Sequence, residues 1–256
     1  MSASAAIRRP LIAGNWKMHK TIAEARALAH DLRKLSLPPE VDVVVAPPFT
    51  ALAAVAEELR GSALALGAQT MHDFAHGPFT GEVSAPMLAE IGVRFVIVGH
   101  SERRAFCGES DDAVNRKVRS ALAHGIMPIV AVGETASEHE LGETHAKVTL
   151  QTRAAFLGVS RDDVARCVVA YEPIWAIGTG LVDSAENANA VIAQIRACVD
   201  GLAHARILYG GSMKGDNAAA LMAMPEIDGG LIGGASLTAP EFAAVIDGAR
   251  SKASAS

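Results

Sequence analysis

Cysteine is scarce in this chain of 256 residues: Cys107, Cys167 and Cys198 are the only three, widely spaced and without a CxxC pair. That count excludes a disulfide framework and gives no thiolate zinc site, so a reducing cytoplasm is the expected setting. Long apolar runs are lacking too. Met1 to Arg9 is small and polar, and Asn15, Lys17, His19 and Lys20 interrupt the first apolar run that follows. Neither a signal peptide nor a membrane partner is expected. Positive charge is not in excess, because 23 Lys and Arg against 28 Asp and Glu leave a formal charge of -5. A chain so balanced has no general attraction for nucleic acid, and any anionic ligand must be held locally. No Gly/Ser linker or break in composition divides the sequence.

What is present is an alternation. Apolar runs begin near Leu11, Val43, Leu64, Phe95, Ile126, Val168, Ile207 and Leu231, most of them rich in β-branched residues, and they read as buried strands. Between them lie helical patterns. Ala188, Val191, Ile192, Ile195 and Val199 put an apolar stripe on a helix opened by Ser184. Val114, Val118 and Leu122 do the same behind a Ser110 cap, with Asp111 and Asp112 in the first turn and Gly125 beyond the end. A doubly wound open sheet also alternates in this way. The polar residues favour an α/β (β/α)8 barrel in a single domain over 1–256, because they gather after the strands, at the end where a barrel builds its site. Flexible tails are expected at 1–9 and 251–256.

Asn15 and Lys17 follow the first strand, and in an extended chain they face one way while Trp16 faces the other. Val96 to Arg104 reads as a strand ending in Gly99-His100 and entering a helical turn capped by Ser101. An imidazole at a helix start is favoured in its neutral form and can donate to a carbonyl or enolate oxygen. Glu172 closes the strand Val168 to Tyr171, and Pro173 stops it, which holds one carboxylate at the mouth as a candidate general base. Pro173, Ile174, Trp175, Ala176, Ile177, Gly178, Thr179 and Gly180 combine small hinges with bulky apolar residues, as a lid requires. The turns Gly210-Gly211-Ser212 and Gly233-Gly234 can aim backbone N–H groups at a phosphate. His72 and His76 have metal-ligand spacing but no third ligand, so no metal is expected.

Gly14-Asn15-Trp16-Lys17, Gly99-His100-Ser101-Glu102-Arg103-Arg104, Tyr171 to Gly180, Tyr209-Gly210-Gly211-Ser212 and Gly233-Gly234-Ala235-Ser236-Leu237 together resemble the triosephosphate isomerase family, in order and over nearly the whole chain. The resemblance implies interconversion of dihydroxyacetone phosphate and glyceraldehyde 3-phosphate through a cis-enediolate, in glycolysis and gluconeogenesis, without cofactor or metal. A glutamate base beside a neutral histidine is that family's known arrangement. It implies Glu172 as base, His100 as electrophile, and Lys17 and Asn15 as stabilisers of developing charge. Gly178, Ser212, Gly233 and Gly234 match phosphate-binding positions, with Ile177 and Leu231 crowding Glu172 when the lid is shut. Glu102 and Glu109 match supporting carboxylates. The stretch Gln69 to Glu82 resembles the loop that enters a neighbouring subunit, so a homodimer is implied, with Thr80 approaching the partner's Asn15 and His100. The chain departs from the family pattern at Thr70, Pro78, Ala131 and Leu181-Val182-Asp183, with Tyr209 the expected neighbour of Asp183.

The same acid–base set would also serve a tetrose phosphate such as erythrulose phosphate. A Schiff-base lyase using Lys17 is a further reading. So is a phosphate-binding protein without turnover.

Overall fold

The structure is a computed structural model that describes residues 8–177, 183–250 and 252. Eight parallel strands close into a barrel in sequence order. They are β1 (Leu11–Asn15), β2 (Asp42–Ala46), β3 (Ala65–Ala68), β4 (Phe95–Val98), β5 (Met127–Val132), β6 (Val168–Tyr171), β7 (Arg206–Tyr209) and β8 (Gly229–Ile232). Closure is made by β1 on β8, where Leu11 faces Gly229 and Gly14 faces Ile232.

Each strand is buried on both faces, which is why its residues read as unbroken apolar runs rather than an alternating pattern. The pleat divides them into two cores. Leu11, Val44, Phe95, Ile97, Ile129 and Leu208 form one cluster inside the barrel. Ile12, Val43, Val96, Val130, Val169 and Ile207, one position away on the same strands, join the larger cluster shared with the helices. A one-residue slip of any strand would exchange the two sets, so the register is strongly specified.

Several of the surrounding helices begin where a side chain satisfies a free N–H group. The Ser110 side chain accepts from Ala113 N–H at the start of Asp111–Ala123, and Gly125 beyond that helix takes φ 72°. Ser184 likewise accepts from Asn187 N–H and opens Ala185–Ala197, whose buried stripe is Ala188, Val191, Ile192 and Ile195. Val199 falls beyond that helix, which ends one residue before Cys198.

The described residues of both expected tails, Arg8, Arg9 and Lys252, make long-range polar contacts. Arg8, expected in a frayed segment, donates through Nε to Asp228 at 2.9 Å, and Arg9 pairs with Asp42 at 2.7 Å. Asp228 also accepts from Arg196 and from Ile207 N–H, and Lys252 donates to the carbonyl of Met224 at 2.8 Å. The rest of the expected tails, residues 1–7, 251 and 253–256, lie outside the described residues. No helix among the described residues is long and apolar enough to cross a membrane.

Candidate active site

The carboxyl ends of the strands surround a cavity of about 250 Å³, a size suited to a small ligand. Asn15, Lys17, His100, Glu172, Ser212, Gly233 and Gly234, all singled out from the sequence, line it together with Ile177 and Leu231. Gly178, Thr179 and Gly180 lie outside the described residues. Met213, Lys214 and Ala235 also line the cavity; sequence reasoning names none of them as a site residue, and Ala235 only as part of the motif Gly233 to Leu237. Their position directly after Ser212 and Gly234 was the signal that could have found them.

Asn15 and Lys17 reach the cavity by a route other than the pleat. Lys17 takes φ 50°, a left-handed conformation rare for a residue with a Cβ, so this segment is not extended. Asn15 Oδ1 accepts the Lys17 N–H at 3.0 Å and braces the turn, while Gln69 Nε2 donates to the Lys17 carbonyl at 2.8 Å. Trp16 is fully buried. The Lys17 ammonium donates to Glu102 Oε1 at 2.7 Å, so its charge is matched by a carboxylate at the rim.

His100 is itself the cap of the helix Ser101–Cys107, the role expected of Ser101. Its Nδ1 accepts the Glu102 N–H at 3.2 Å. A ring nitrogen that accepts a hydrogen bond carries no proton, so the ring is neutral and its N–H is at Nε2. That Nε2 lies 3.0 Å from Glu172 Oε1. Glu172 Oε2 accepts the Ser101 N–H at 2.8 Å. Glu172 is only 2% exposed, and both its oxygens are thus engaged. Gly133, at the end of β5, allows this: a Cβ there would stand 1.8 Å from the Glu172 carbonyl oxygen.

Supporting carboxylates hold the frame. Glu109 is buried, accepts the Gly99 N–H at 3.1 Å, and is bonded to the Lys117 ammonium, which also reaches Thr70 at 3.2 Å. Glu134, fully buried, accepts from Tyr171 Oη at 3.1 Å and from Trp175 Nε1 at 2.7 Å. Trp175 stacks on His139 with centroids 4.2 Å apart. Glu134 follows an apolar strand as Glu172 does, and that likeness could have marked it from sequence. Burial pushes the Tyr171 hydroxyl pKa well up, and the neighbouring Glu134 adds to it. Asp183 is buried, and desolvation raises its carboxyl above the usual range, with Glu134 adding to the effect. The Tyr209 hydroxyl, also pushed up by burial, feels the charge of Asp183, the neighbour that the sequence suggested.

The same cavity is lined by residues with free amides. The N–H groups of Ser212 and Gly234 meet no protein acceptor among the described residues. Asn217 stiffens the first turn, accepting the Lys214 N–H at 2.8 Å and donating to the Ser212 carbonyl at 3.0 Å. Thr80 is exposed on its loop and does not line the cavity of its own chain. Close to it Phe74 and Phe79 stack at 5.1 Å, and His72 packs on Phe79 at 4.0 Å.

Residues 10–249 match the family model described as triosephosphate isomerase. A protein of that name from Chloroflexus aurantiacus is 54% identical over 94% of this chain and 99% of its own length. Relatives of the same name from Caldanaerobacter subterraneus, at 49% over 94% of this chain and all of theirs, and from Symbiobacterium thermophilum, at 50% over 93% and 96%, agree. The closed barrel, the site at its carboxyl end and these similarities have one account: the chain belongs to the triosephosphate isomerase family.

Proposed function

We propose that Glu172, His100, Lys17 and Asn15 carry out the family's reaction in this cavity, the interconversion of dihydroxyacetone phosphate and D-glyceraldehyde 3-phosphate, a step of glycolysis and gluconeogenesis. The observation that carries the assignment of roles is the pairing of a buried carboxylate with a neutral imidazole N–H 3.0 Å away, in a cavity that is also lined by residues with free amides.

Proton transfer beside a carbonyl needs a base at the carbon and donors at the oxygen. Glu172 removes a proton from C1 of the ketose, and the electron pair moves into the C1–C2 bond while negative charge grows on the C2 oxygen. His100 Nε2–H and the Lys17 ammonium stabilise that charge, with Asn15 beside them. Return of the proton from Glu172 to C2, with exchange of the hydroxyl proton between the two oxygens, completes the aldose. No electrons leave or enter. The free N–H groups of Ser212 and Gly234, with Gly233 and Gly178, bind the phosphate, while Ile177 and Leu231 keep water from the carboxylate.

The lid from Pro173 to Gly180, a homodimer and a cytoplasmic setting belong to the same proposal. Met18 is 94% and Phe74 56% exposed, large apolar surfaces that a second copy would cover. Thr80 would then approach the partner's Asn15 and His100. The free cysteines suit a reducing compartment.

The test is isomerisation of dihydroxyacetone phosphate by the wild type and by Glu172→Gln, read through a coupled dehydrogenase, with a tetrose phosphate in parallel. Turnover of the triose that falls by about 10³-fold or more in the variant supports the assignment. Unchanged turnover in a folded variant sinks it, and turnover of the tetrose alone changes the substrate.

A further inference from the structure

We infer that Arg104 is a positioning residue for the reaction, the side chain that fixes His100 against Glu172. It does not line the cavity, and no step of the proposed chemistry uses it. Its guanidinium nonetheless goes to the backbone around the two reacting groups. Nε donates to the Gly99 carbonyl at 2.6 Å and Nη2 to the Ala131 carbonyl at 3.2 Å, while Nη1 meets Asp111 at 2.6 Å. The side chain is only 15% exposed.

The two carbonyls bear on His100 and on Glu172. The Gly99 carbonyl belongs to the peptide that carries His100, and the Arg104 N–H donates to the His100 carbonyl at 3.0 Å, so one residue holds His100 from both sides. Gly99 is the point at which this segment could swivel. It has φ 74°, and Glu109 already accepts its N–H at 3.1 Å. Holding its carbonyl as well fixes both peptide planes that flank it. Ala131 lies on β5, beside Ala170 of β6, and the next β5 carbonyl, that of Val132, accepts the Glu172 N–H at 2.8 Å. Arg104 therefore ties the His100 end of β4 to the strand on which the Glu172 backbone rests.

Nothing else among the bonds to His100 does this. The Glu102 N–H holds the ring to its own helix, and the separation of 3.0 Å between His100 Nε2 and Glu172 Oε1 spans two different strand ends. The fit around the guanidinium is close: a Cβ on Gly99 would stand 2.8 Å from Arg104 Nη2 and 3.0 Å from the Ala131 oxygen. A planar fork of N–H groups reaches two carbonyls and a carboxylate at once, which the compact ammonium of lysine does not. Replacing the side chain leaves the backbone bond to His100 in place and isolates the strut.

The inference rests on the triose phosphate reading. Wild-type turnover tests that reading alone, and nitrogen NMR of labelled histidine tests the positioning without turnover. Arg104→Met and Arg104→Lys are compared with the wild type and with Asp111→Asn, which removes the ion pair and spares both carbonyl bonds. Each is measured well below its own unfolding temperature. In Arg104→Met, kcat falls about 10- to 100-fold while the inhibition constant of inorganic phosphate stays within about twofold of wild type, because the reacting pair is displaced and the amides are not. Arg104→Lys recovers part of the loss, and Asp111→Asn keeps kcat near the wild-type value. The His100 Nε2–H signal moves or broadens in Arg104→Met as its contact with Glu172 loosens. An unmoved His100 signal in the folded variant would overturn the proposal. So would wild-type kcat, an equal loss of kcat in Asp111→Asn, or a loss of phosphate affinity that matches the loss of kcat. If Arg104→Met does not fold, Arg104→Lys is judged by the same criteria.

Discussion

The Ser101 N–H holds Glu172 at 2.8 Å, and this bond sets the resting place of the carboxylate. With its other oxygen 3.0 Å from His100 Nε2, Glu172 is anchored to the same short segment that carries the proposed electrophile. To act as the proposed base it must give up the Ser101 N–H for substrate. Reach therefore matters as much as charge. Glu172→Asp keeps the charge and withdraws it by one methylene, and a misplacement of that size costs about 10²-fold in rate. Steady-state kinetics will record the loss mainly in kcat, with thermal stability close to that of the wild type.

His100 is a helix cap and, in the proposed reaction, the electrophile, and its two nitrogens divide the work. The Glu102 N–H occupies Nδ1, so the proton sits on Nε2, facing Glu172. Nitrogen NMR of labelled protein at pH 7 is expected to report a bare Nδ1 and a protonated Nε2. His100→Gln is expected to lower kcat by about 10²-fold or more and to leave phosphate inhibition nearly intact. Loss of the cap adds about 1 kcal/mol of destabilisation, measurable by urea unfolding.

The barrel and the site were legible in the sequence for one reason: parallel strands buried on both faces leave continuous apolar runs, and the polar residues that follow them mark a single end of the barrel. Asn15, His100, Glu172, Ser212 and Gly233 all follow strands in that way, and all line the cavity. What that pattern could not show was turn geometry. The left-handed Lys17 breaks the extended pattern assumed for its segment, and the cap at His100 instead of Ser101 depends on which side chain reaches the Glu102 N–H. Long-range partners were hidden for a related reason. Arg8 reads as a tail residue until the fold brings it to Asp228, 220 positions away.

Trp175 joins the proposed lid to the frame through Glu134, a buried carboxylate that also receives the Tyr171 hydroxyl. Trp175→Phe preserves most of the apolar surface and removes the indole N–H. A buried charged acceptor that loses a donor costs roughly 1–3 kcal/mol. The variant is expected to unfold at a lower temperature by calorimetry. Its kcat is expected to change more than its phosphate inhibition, since the bond sits at the base of the lid and away from the amides of Ser212 and Gly234.

Asp183 offers a test with an opposite sign. Its Oδ1 accepts from Asn187 Nδ2 at 2.8 Å, but its buried Oδ2 has no hydrogen-bond partner among the described residues, and the groups facing it include Glu134, Tyr209 and His139. Burial raises the carboxyl above 3.8, with Glu134 adding to the shift. Below 3.8 both folded and unfolded chains hold the proton, and no penalty exists. As pH rises from there to the folded value, the unfolded chain releases its proton first, so stability falls across that window and the deficit persists at neutral pH. Asp183→Asn keeps an acceptor for Asn187 and removes the charge. At pH 7 the variant is expected to be more stable by roughly 0.5–2 kcal/mol, the range of a typical stabilising replacement. Urea unfolding from pH 7 to pH 4 should show the advantage narrowing as the wild-type carboxyl takes up its proton. An advantage that stays constant over that range would mean that Asp183 is ionised at no cost.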